Sequence, residues 1–423
     1  MATVLAYTSP AKGHVFPMTA ILLELAARGH RIVVRTLASE VATLRSLGFD
    51  AGPVDERIPA IREPSPQPRG TLAALRAGIT VFAQRAPFEA ADLRAAIERH
   101  RPDVVLADVN AWGALAEAER WAAGRAGRLF VEVFPYTPAI PSRDAPPFGP
   151  GLPPAAGPLG RLRDAVLRPL IFGSLERTVL PPLNIVRREV GIGPVADARE
   201  LFTRAALMLV TTAEPFEYPR RDWPEQAVLV GPCEWEPPVA EPEWLAAVRE
   251  PIVLVTTSSE AQDDGRLIRV ALEALAGEPF HVVATMPAGV DGAYTSRGGH
   301  HVEEFVPHSA VLARAVVAVT HGGMGATQKA LARGVPVCAV PFGRDQHEVA
   351  RRVVSAGAGS MLRPSRLSPE RLLAAIVQAR GCTAAAQRIR DAFSAAGGAA
   401  AAADAIERRI PASDHDGLDL NPA

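Results

Sequence analysis

The stretch VTHGGMGATQKALARGVPV, residues 319–337, sets His321 among closely spaced glycines, between an apolar run and a helical pattern. A helix that begins directly after a strand points free backbone N–H groups and the positive end of its dipole at that junction, which favours an anion. His321 can add a hydrogen bond or a positive charge. The pattern indicates a phosphate site, and the alternative is a tight turn that needs glycine only for packing. The stretch matches neither GxGxxG nor GxxxxGK(S/T), the two common nucleotide-binding signatures. We therefore expect it to bind a diphosphate group through a different motif.

Other polar residues also follow strand-like runs. Asp345 and Gln346 lie after PVCAV, and a neighbouring carboxylate and amide can hold vicinal sugar hydroxyls. The alternative for Asp345 is a helix N-cap. Ser258 and Ser259 lie at the end of another run, where their hydroxyls can bind phosphate oxygens, although serine-rich turns also occur without a ligand.

Composition excludes several classes of protein. The chain has 423 residues, with 45 basic and 46 acidic side chains, so we expect no nucleic-acid partner. Cys233, Cys338 and Cys382 lie far apart and form no CxxC, which suits a reducing cytoplasm. The N-terminus has no basic region, and no apolar run approaches the length of about 18 residues that a membrane span needs. We therefore expect neither a signal peptide nor contact with a membrane.

Strand-like runs alternate with helical patterns along the chain, which predicts an α/β fold with parallel sheets covered by helices. The breaker-rich stretch GPCEWEPPVAEPEW interrupts this alternation. We expect two Rossmann-like domains facing each other across a cleft, over residues 1–230 and 249–410, with residues 231–248 as the linker. Residues 411–423 lack apolar periodicity, and we expect them to be disordered.

Three local expectations follow from proline, glycine and alanine. Pro17 suits the first turn of a helix and so places His14 in the loop before it. Residues 135–170 are rich in proline and glycine, which predicts a long irregular loop that is either a lid on the substrate side or a disordered segment. The chain closes with one alanine-rich helix before the tail.

The run HGGMGATQKALARGVPVCAVPFGRDQHEVARRV, with VPHSAVL before it and KGHVFPM near the N-terminus, resembles family 1 of the glycosyltransferases. This family has the two-domain GT-B fold, and the chain looks most like the bacterial branch that glycosylates macrolides and other natural products. The resemblance covers nearly the whole chain. It implies a UDP- or TDP-linked sugar as co-substrate, a small lipophilic acceptor, no cofactor, no metal, and a monomer or homodimer.

The resemblance also assigns roles to residues. His14 would be the catalytic base and Asp108 its partner. The C-terminal domain would bind the nucleotide sugar. Together with the two serines, the donor-binding residues that it implies are Val306, His321, Gly323, Gly325, Ala326, Thr327, Asp345 and Gln346.

Physical chemistry is consistent with His14 as a base. The dipole of the following helix disfavours imidazolium and keeps the ring ready to accept a proton, while a carboxylate such as Asp108 fixes the tautomer. The reaction would be one displacement with inversion at the anomeric carbon, in which N–H groups and His321 stabilise the leaving diphosphate without a metal. The one DxD triplet, Asp414-His415-Asp416, lies in the expected tail, so we do not assign it a metal.

Two features leave the substrates open. Many family members carry a glutamate that grips the ribose hydroxyls where this chain has Lys329. A lysine cannot accept those hydrogen bonds, although it can reach a phosphate or another part of the nucleoside. Six aromatic residues can line an apolar acceptor pocket or can equally belong to the core: Phe82, Phe88, Trp112, Phe134, Tyr136 and Phe148.

Two other functions suit the same fold. One is a nucleotide-sugar epimerase or hydrolase, which binds no acceptor. The other is a non-catalytic family member that binds and activates a partner enzyme. The presence of both His14 and Asp108 weighs against the second.

Overall fold

The computed structural model describes residues 1–63, 71–258, 264–287, 289 and 300–410. Its strands build two separate parallel sheets. The first sheet contains β1 (Thr3–Tyr7), β2 (Arg31–Thr36), β3 (Asp50–Pro53), β4 (Val104–Asp108), β5 (Leu129–Phe134), β6 (Leu207–Val210) and β7 (Ala227–Leu229). The second contains β8 (Ile252–Thr256), β9 (His281–Thr285), β10 (His300–Glu303), β11 (Ala315–Thr320), β12 (Val337–Ala339) and β13 (Gly359–Met361).

Helices connect the strands and cover both sheets. In the first half they are α1 (Lys12–Ala27), α2 (Ala38–Ser46), α3 (Arg57–Ala60), α4 (Thr71–His100), α5 (Trp112–Ala122), α6 (Gly157–Val190) and α7 (Ala198–Leu201). They continue with α8 (Glu243–Ala247), α9 (Arg266–Ala274), α10 (His308–Leu312), α11 (Met324–Leu331), α12 (Gln346–Ser355), α13 (Pro369–Arg380), α14 (Thr383–Ala396) and α15 (Gly398–Glu407).

Each sheet has one point where the order of strands reverses. The first sheet runs β3-β2-β1-β4-β5-β6-β7, and the second runs β10-β9-β8-β11-β12-β13. The reversals lie between β1 and β4 and between β8 and β11. In sheets of this kind ligands bind beyond the carboxyl ends of the strands at such a reversal. The loops that follow these four strands are therefore the place to look for a site.

The central strands are apolar because helices cover both of their faces. Every residue of β4, β5 and β8 is buried, and separate hydrophobic clusters fill the two sides of each sheet. Continuous Val, Leu and Ile runs of this kind are typical of parallel strands. The predicted α/β fold with two Rossmann-like units is confirmed.

Three local predictions are wrong. Helix α1 begins at Lys12, because the N–H groups of His14 and Val15 bond to the Ala11 carbonyl and close a turn ahead of Pro17, whose φ is already helical. His14 therefore lies inside the first turn. The irregular segment ends at residue 156, because α6 packs on α4 and α5 and continues through its prolines.

The third difference is at the C-terminus. Gly397 and Gly398 have φ of 88° and 57° and separate α14 from α15. Helix α15 then packs on the first sheet, where Ala402 and Ile406 join the cluster around β1 and α1. Arg28 on the loop after α1 donates hydrogen bonds of 2.6 Å and 2.7 Å to Asp404 and Glu407 of α15.

The division into residues 1–230, 231–248 and 249–410 stays a prediction, although the last helix of the third range packs on the core of the first half. The expected tail over residues 411–423, with its DxD triplet, lies outside the described residues, as does Ser259. Among the helices that the structure describes, none is long and apolar enough to cross a membrane.

Gly113 in α5 offers a test of the packing between α4 and α5. A Cβ at this position would lie 1.8 Å from the Ala86 carbonyl oxygen. We expect Gly113→Ala to lower the free energy of unfolding by about 2 kcal/mol or more, since the interface can absorb this overlap only by moving a helix. Thermal unfolding measures the loss.

The matched control is Gly78→Ala in α4. A Cβ there meets only the Glu63 side chain, at 3.5 Å, and alanine favours a helix by about 1 kcal/mol over glycine. Its melting temperature should therefore rise. Equal melting temperatures for the two variants would contradict the close approach of α4 and α5.

Candidate functional site

The structure brings His14 and Asp108 together at the reversal of the first sheet. Asp108 ends β4, one residue beyond Ala107, which pairs with Tyr7 at the end of β1, and His14 lies in the first turn of α1. His14 Nδ1 lies 2.7 Å from Asp108 Oδ2. The carboxylate is 1% exposed and the imidazole 15% exposed, so the ring shields the carboxylate and still faces the cleft.

Asn110 and Tyr136 complete the surroundings of the imidazole. The Tyr136 hydroxyl donates to Asn110 Oδ1 at 2.7 Å, and Asn110 Nδ2 lies 3.4 Å from His14 Nε2. An amide nitrogen only donates, so this contact suits the tautomer with the proton on Nδ1, facing Asp108. Burial and nearby carboxylates raise the pKa of Tyr136, which keeps its hydroxyl protonated. No pattern in the sequence pointed to Asn110.

Two further buried carboxyl groups lie near Asp108. Burial raises the pKa of Glu132 on β5 to about 8, and the charge of Asp108 adds to the effect. Burial likewise raises the pKa of Glu89 on α4 to about 8, although it accepts a hydrogen bond from the Gly113 N–H. Both stay protonated at neutral pH. The sequence signal was a glutamate within otherwise apolar patterns such as LFVEVF.

The glycine-rich turn lies at the reversal of the second sheet. His321 directly follows β11, whose last residue, Thr320, is opposite Thr256 at the end of β8. His321 Nδ1 lies 3.4 Å from the Thr256 carbonyl oxygen. Burial lowers the pKa of His321, so the ring is neutral at pH 7 and acts through hydrogen bonds there.

The three glycines of this turn, Gly322, Gly323 and Gly325, occupy different surroundings. Gly322 has φ of 82°, and a Cβ on Gly323 would lie 2.2 Å from His321 Nε2. Among the residues that the structure describes, nothing lies within 4 Å of a Cβ placed on Gly325. Packing therefore explains Gly322 and Gly323, whereas no described residue fills the space beside Gly325 at the start of α11. The Thr327 hydroxyl nearby is buried and bonds to no group in the described part of the chain.

Asp345 and Gln346 lie at the start of α12, opposite the first half. Asp345 occupies the N-cap position, but its side chain makes no capping hydrogen bond, so the capping alternative lacks support. Burial raises its pKa, and the positive charge of Arg344, with that of His14 when its ring is protonated, opposes this. Gln346 Oε1 accepts from the N–H groups of Phe342 and Gly343. The structure thus brings Asp345 within electrostatic range of His14.

Other predicted donor residues differ in accessibility. Ser258 is buried and its N–H donates to Asp264 Oδ2 at 2.7 Å. Val306 is buried in the core below the second sheet, so its side chain packs there, whereas the neighbouring Phe305 is 45% exposed. Ala326 is half-buried on the first turn of α11.

Lys329 is paired with a carboxylate from the expected linker. Its Nζ donates to Glu236 Oε1 at 2.6 Å, and Glu236 Oε2 accepts from the Ser309 N–H at 3.2 Å. Burial alone would raise the pKa of Glu236, but Lys329 outweighs it and lowers that pKa. A charged carboxylate thus lies beside α11 even though position 329 is a lysine.

Comparisons with known proteins find relatives that span nearly the whole chain. A family model described as Erythromycin biosynthesis protein CIII-like, C-terminal domain, covers residues 271–407. The 4'-demethylrebeccamycin synthase of Lentzea aerocolonigenes is 32% identical over 96% of this chain and 99% of its own. The demethyllactenocin mycarosyltransferase of Streptomyces fradiae is 26% identical over 96% of this chain and 86% of its own. The solved structure of the glycotransferase of kitacinnamycin is 26% identical, with a TM-score of 0.73 over 97% of this chain and 99% of that one.

This chain belongs to the GT-B glycosyltransferases of natural-product biosynthesis. The predicted family and fold are confirmed, and so is the prediction that the chain is a glycosyltransferase. The matched C-terminal model includes His321, Asp345 and Gln346.

In this glycosyltransferase the six aromatic residues fall into separate groups. Phe82 and Trp112 pack together with ring centroids 5.7 Å apart, and Phe134 lies 6.4 Å from Tyr136. Phe88 lies apart from both pairs, beneath the guanidinium of Arg57. Phe148 is half-buried in the irregular segment. Of these, Tyr136 is closest in contact to His14, with ring centroids 5.7 Å apart, and the shared acceptor pocket stays a prediction.

The raised pKa of Glu132 makes stability depend on pH. The unfolded glutamate loses its proton near pH 4.3, whereas the folded state keeps it until about pH 8, so this group's contribution to stability is lost as pH rises between those values. Glu132→Gln mimics the protonated form. We expect its melting temperature to exceed that of the wild type by several degrees near pH 8 and by much less near pH 5.

Glu98→Gln is the control, because Glu98 is exposed on α4. Its melting temperature should follow the wild type at both pH values. A Glu132→Gln offset that is the same near pH 5 and pH 8 would show that the carboxyl is not held protonated.

Proposed function

We propose that this glycosyltransferase moves a hexose or deoxyhexose, with inversion, from a nucleoside-diphosphate sugar to a hydroxyl of a small lipophilic natural product. His14 acts as general base and Asp108 as its partner. The observation that carries the proposal is the 2.7 Å contact between His14 and Asp108 at the reversal of the first sheet, with Asp345 of the second half within electrostatic range of His14.

The chemical step is one displacement. His14 Nε2 takes the proton from the acceptor hydroxyl as its oxygen forms a bond to C1 of the sugar, and the bond from C1 to the diphosphate oxygen breaks. The imidazolium that forms is stabilised by Asp108, which accepts from Nδ1–H throughout. Asn110 Nδ2 lies 3.4 Å from Nε2 and is held by Tyr136, and the acceptor hydroxyl takes the place of this long contact when it binds.

The leaving diphosphate would lie at the start of α11. Backbone N–H groups there, the open space at Gly325 and the unbonded Thr327 hydroxyl support this placement. His321 would donate a hydrogen bond at the same place, because the oxygens of an ionised diphosphate only accept. Asp345, whose side chain caps no helix, and the neighbouring Gln346 would hold the sugar hydroxyls.

A UDP- or TDP-linked sugar is the donor that we propose. Phe305, exposed next to Val306, offers a ring for the base. Glu236, held in place by Lys329, offers a carboxylate to a pentose hydroxyl that lysine itself cannot serve. The names of two relatives, a mycarosyltransferase and a synthase of demethylrebeccamycin, support a natural-product acceptor.

We expect His14→Ala to reduce transfer by about 100-fold to 10,000-fold, because the acceptor then lacks its base. Nucleotide binding should persist, since His14 lies outside the donor site. Product formation by mass spectrometry measures the first effect, and the thermal shift caused by UDP or TDP measures the second. Asp108→Asn should lower kcat at least about tenfold with little change in KM.

His30→Ala is the matched control, because His30 forms a similar histidine–carboxylate contact with Glu407, 2.9 Å, away from the cleft. Unchanged turnover in His14→Ala would refute the assignment of the base. Release of free sugar or of an epimer without any acceptor would instead favour a hydrolase or an epimerase of the same fold.

We expect transfer to continue in excess chelator. The proposed charge stabilisation comes from backbone N–H groups at the start of α11 and from His321, so the step requires no metal ion. The measurement compares initial rates with EDTA and with added manganese. A loss of activity in EDTA that manganese restores would reject the metal-free mechanism.

A further inference from the structure

The irregular segment over residues 135–156, here called the acceptor-side loop, is fastened at both ends. At its start Tyr136 bonds to Asn110, the neighbour of His14, and the Thr137 hydroxyl donates to Glu217 Oε2 at 3.0 Å. Towards its end the N–H groups of residues 149 and 151, both glycines, donate to one oxygen of Glu348, at 2.7 Å and 2.9 Å. The loop thus begins at the proposed base and ends on the other half of the molecule.

Glu348 belongs to α12, the helix that begins with the proposed sugar-binding residues. Its second oxygen accepts from Arg352 Nη1 at 2.9 Å, and Arg352 also bonds to Glu217 at 2.9 Å and 3.1 Å. All three side chains are buried. Arg351 adds a bond from its Nε to the Gly151 carbonyl oxygen, 2.9 Å.

The acceptor-side loop packs so closely against α12 that a side chain at Gly151 has no room. Gly151 has φ of 62°, and a Cβ there would lie 2.7 Å from the His347 carbonyl oxygen. The start of the same helix packs against the glycine-rich turn, since a Cβ on Gly322 would lie 3.0 Å from the Gln346 carbonyl oxygen. Helix α12 therefore contacts the acceptor-side loop, the proposed diphosphate turn and the proposed sugar site.

We propose that Glu348 and Arg351 are positioning residues that fasten the acceptor-side loop to α12 and so keep water from the reacting centre while donor and acceptor are bound. This inference rests on the proposed function. The fastening couples the acceptor side to the donor side, because both contact the same helix. Without it, water would reach C1 of the sugar, its oxygen would bond to C1 as the diphosphate leaves, and His14 would take its proton.

Two variants test the proposal without touching the proposed catalytic or donor-binding groups. Gly151→Ala forces the loop away from His347, and Arg351→Met removes one bond to the loop. Both are milder than Glu348→Ala, which would leave buried Arg352 with fewer partners and endanger folding. Gly157→Ala is the matched control, because its φ of 66° imposes the same backbone strain while no described residue lies within 4 Å of a Cβ placed there.

The first measurement is hydrogen–deuterium exchange of a peptide over residues 145–156, which requires no substrate. We expect exchange at least about tenfold faster in Gly151→Ala and Arg351→Met than in the wild type and in Gly157→Ala. The second is the release of free glucose from UDP-glucose and TDP-glucose, which should rise at least about tenfold in Gly151→Ala relative to Gly157→Ala.

Exchange at the wild-type rate in both Gly151→Ala and Arg351→Met would overturn the proposal that these contacts hold the loop on α12. Glucose release from Gly151→Ala equal to that from Gly157→Ala would overturn the proposal that the loop excludes water. A failure of the proposed function is a separate result: the wild type would show no thermal shift with UDP or TDP and no transfer. The exchange experiment is independent of both.

Discussion

Arg352 is a guanidinium buried between the two halves, and it cannot lose its proton there. Such a charge is tolerated only with carboxylates around it. Glu217 comes from the segment after β6 and Glu348 from α12, so the two halves must assemble before the guanidinium leaves water. Burial alone would raise the pKa of Glu217, but Arg352 and Arg220 hold it at about 2. The cleft, with His14 on one side and Asp345 on the other, depends on this buried network.

Buried carboxyl groups also surround the proposed base, His14. Asp108 is as buried as its neighbours, yet it has the imidazole of His14 at 2.7 Å and the Asn110 N–H at 2.9 Å. Glu89 accepts a hydrogen bond from the Gly113 N–H at 2.9 Å, yet burial raises the pKa of Glu89 and of Glu132 to about 8. Glu132 and Glu89 are therefore protonated at neutral pH, and Asp108 is the carboxyl group of the three that contacts the imidazole of His14.

Much of the fold could be predicted because its signals are local. The apolar runs before His321, Asp345 and Ser258 correspond to β11, β12 and β8, since an apolar run between turn-forming residues can be recognised in consecutive residues. Strands β3, β10 and β13 are short and carry weak patterns, so local sequence does not predict them. Prolines led to wrong predictions at α1 and α6. Hydrogen bonds of the first turn form the start of α1, and tertiary contacts sustain α6.

The sequence by itself determined the two parallel sheets, the glycine-rich turn and the residue types placed after the strands, because periodicity and turn chemistry act between near neighbours. Only the tertiary structure decided which distant groups meet. Lys329 bonds to Glu236, and Glu348 bonds to the backbone of the acceptor-side loop, across separations that no local pattern encodes. The protonation of Glu132 was likewise decided by burial, because a pKa depends on the medium that the rest of the chain builds around the group.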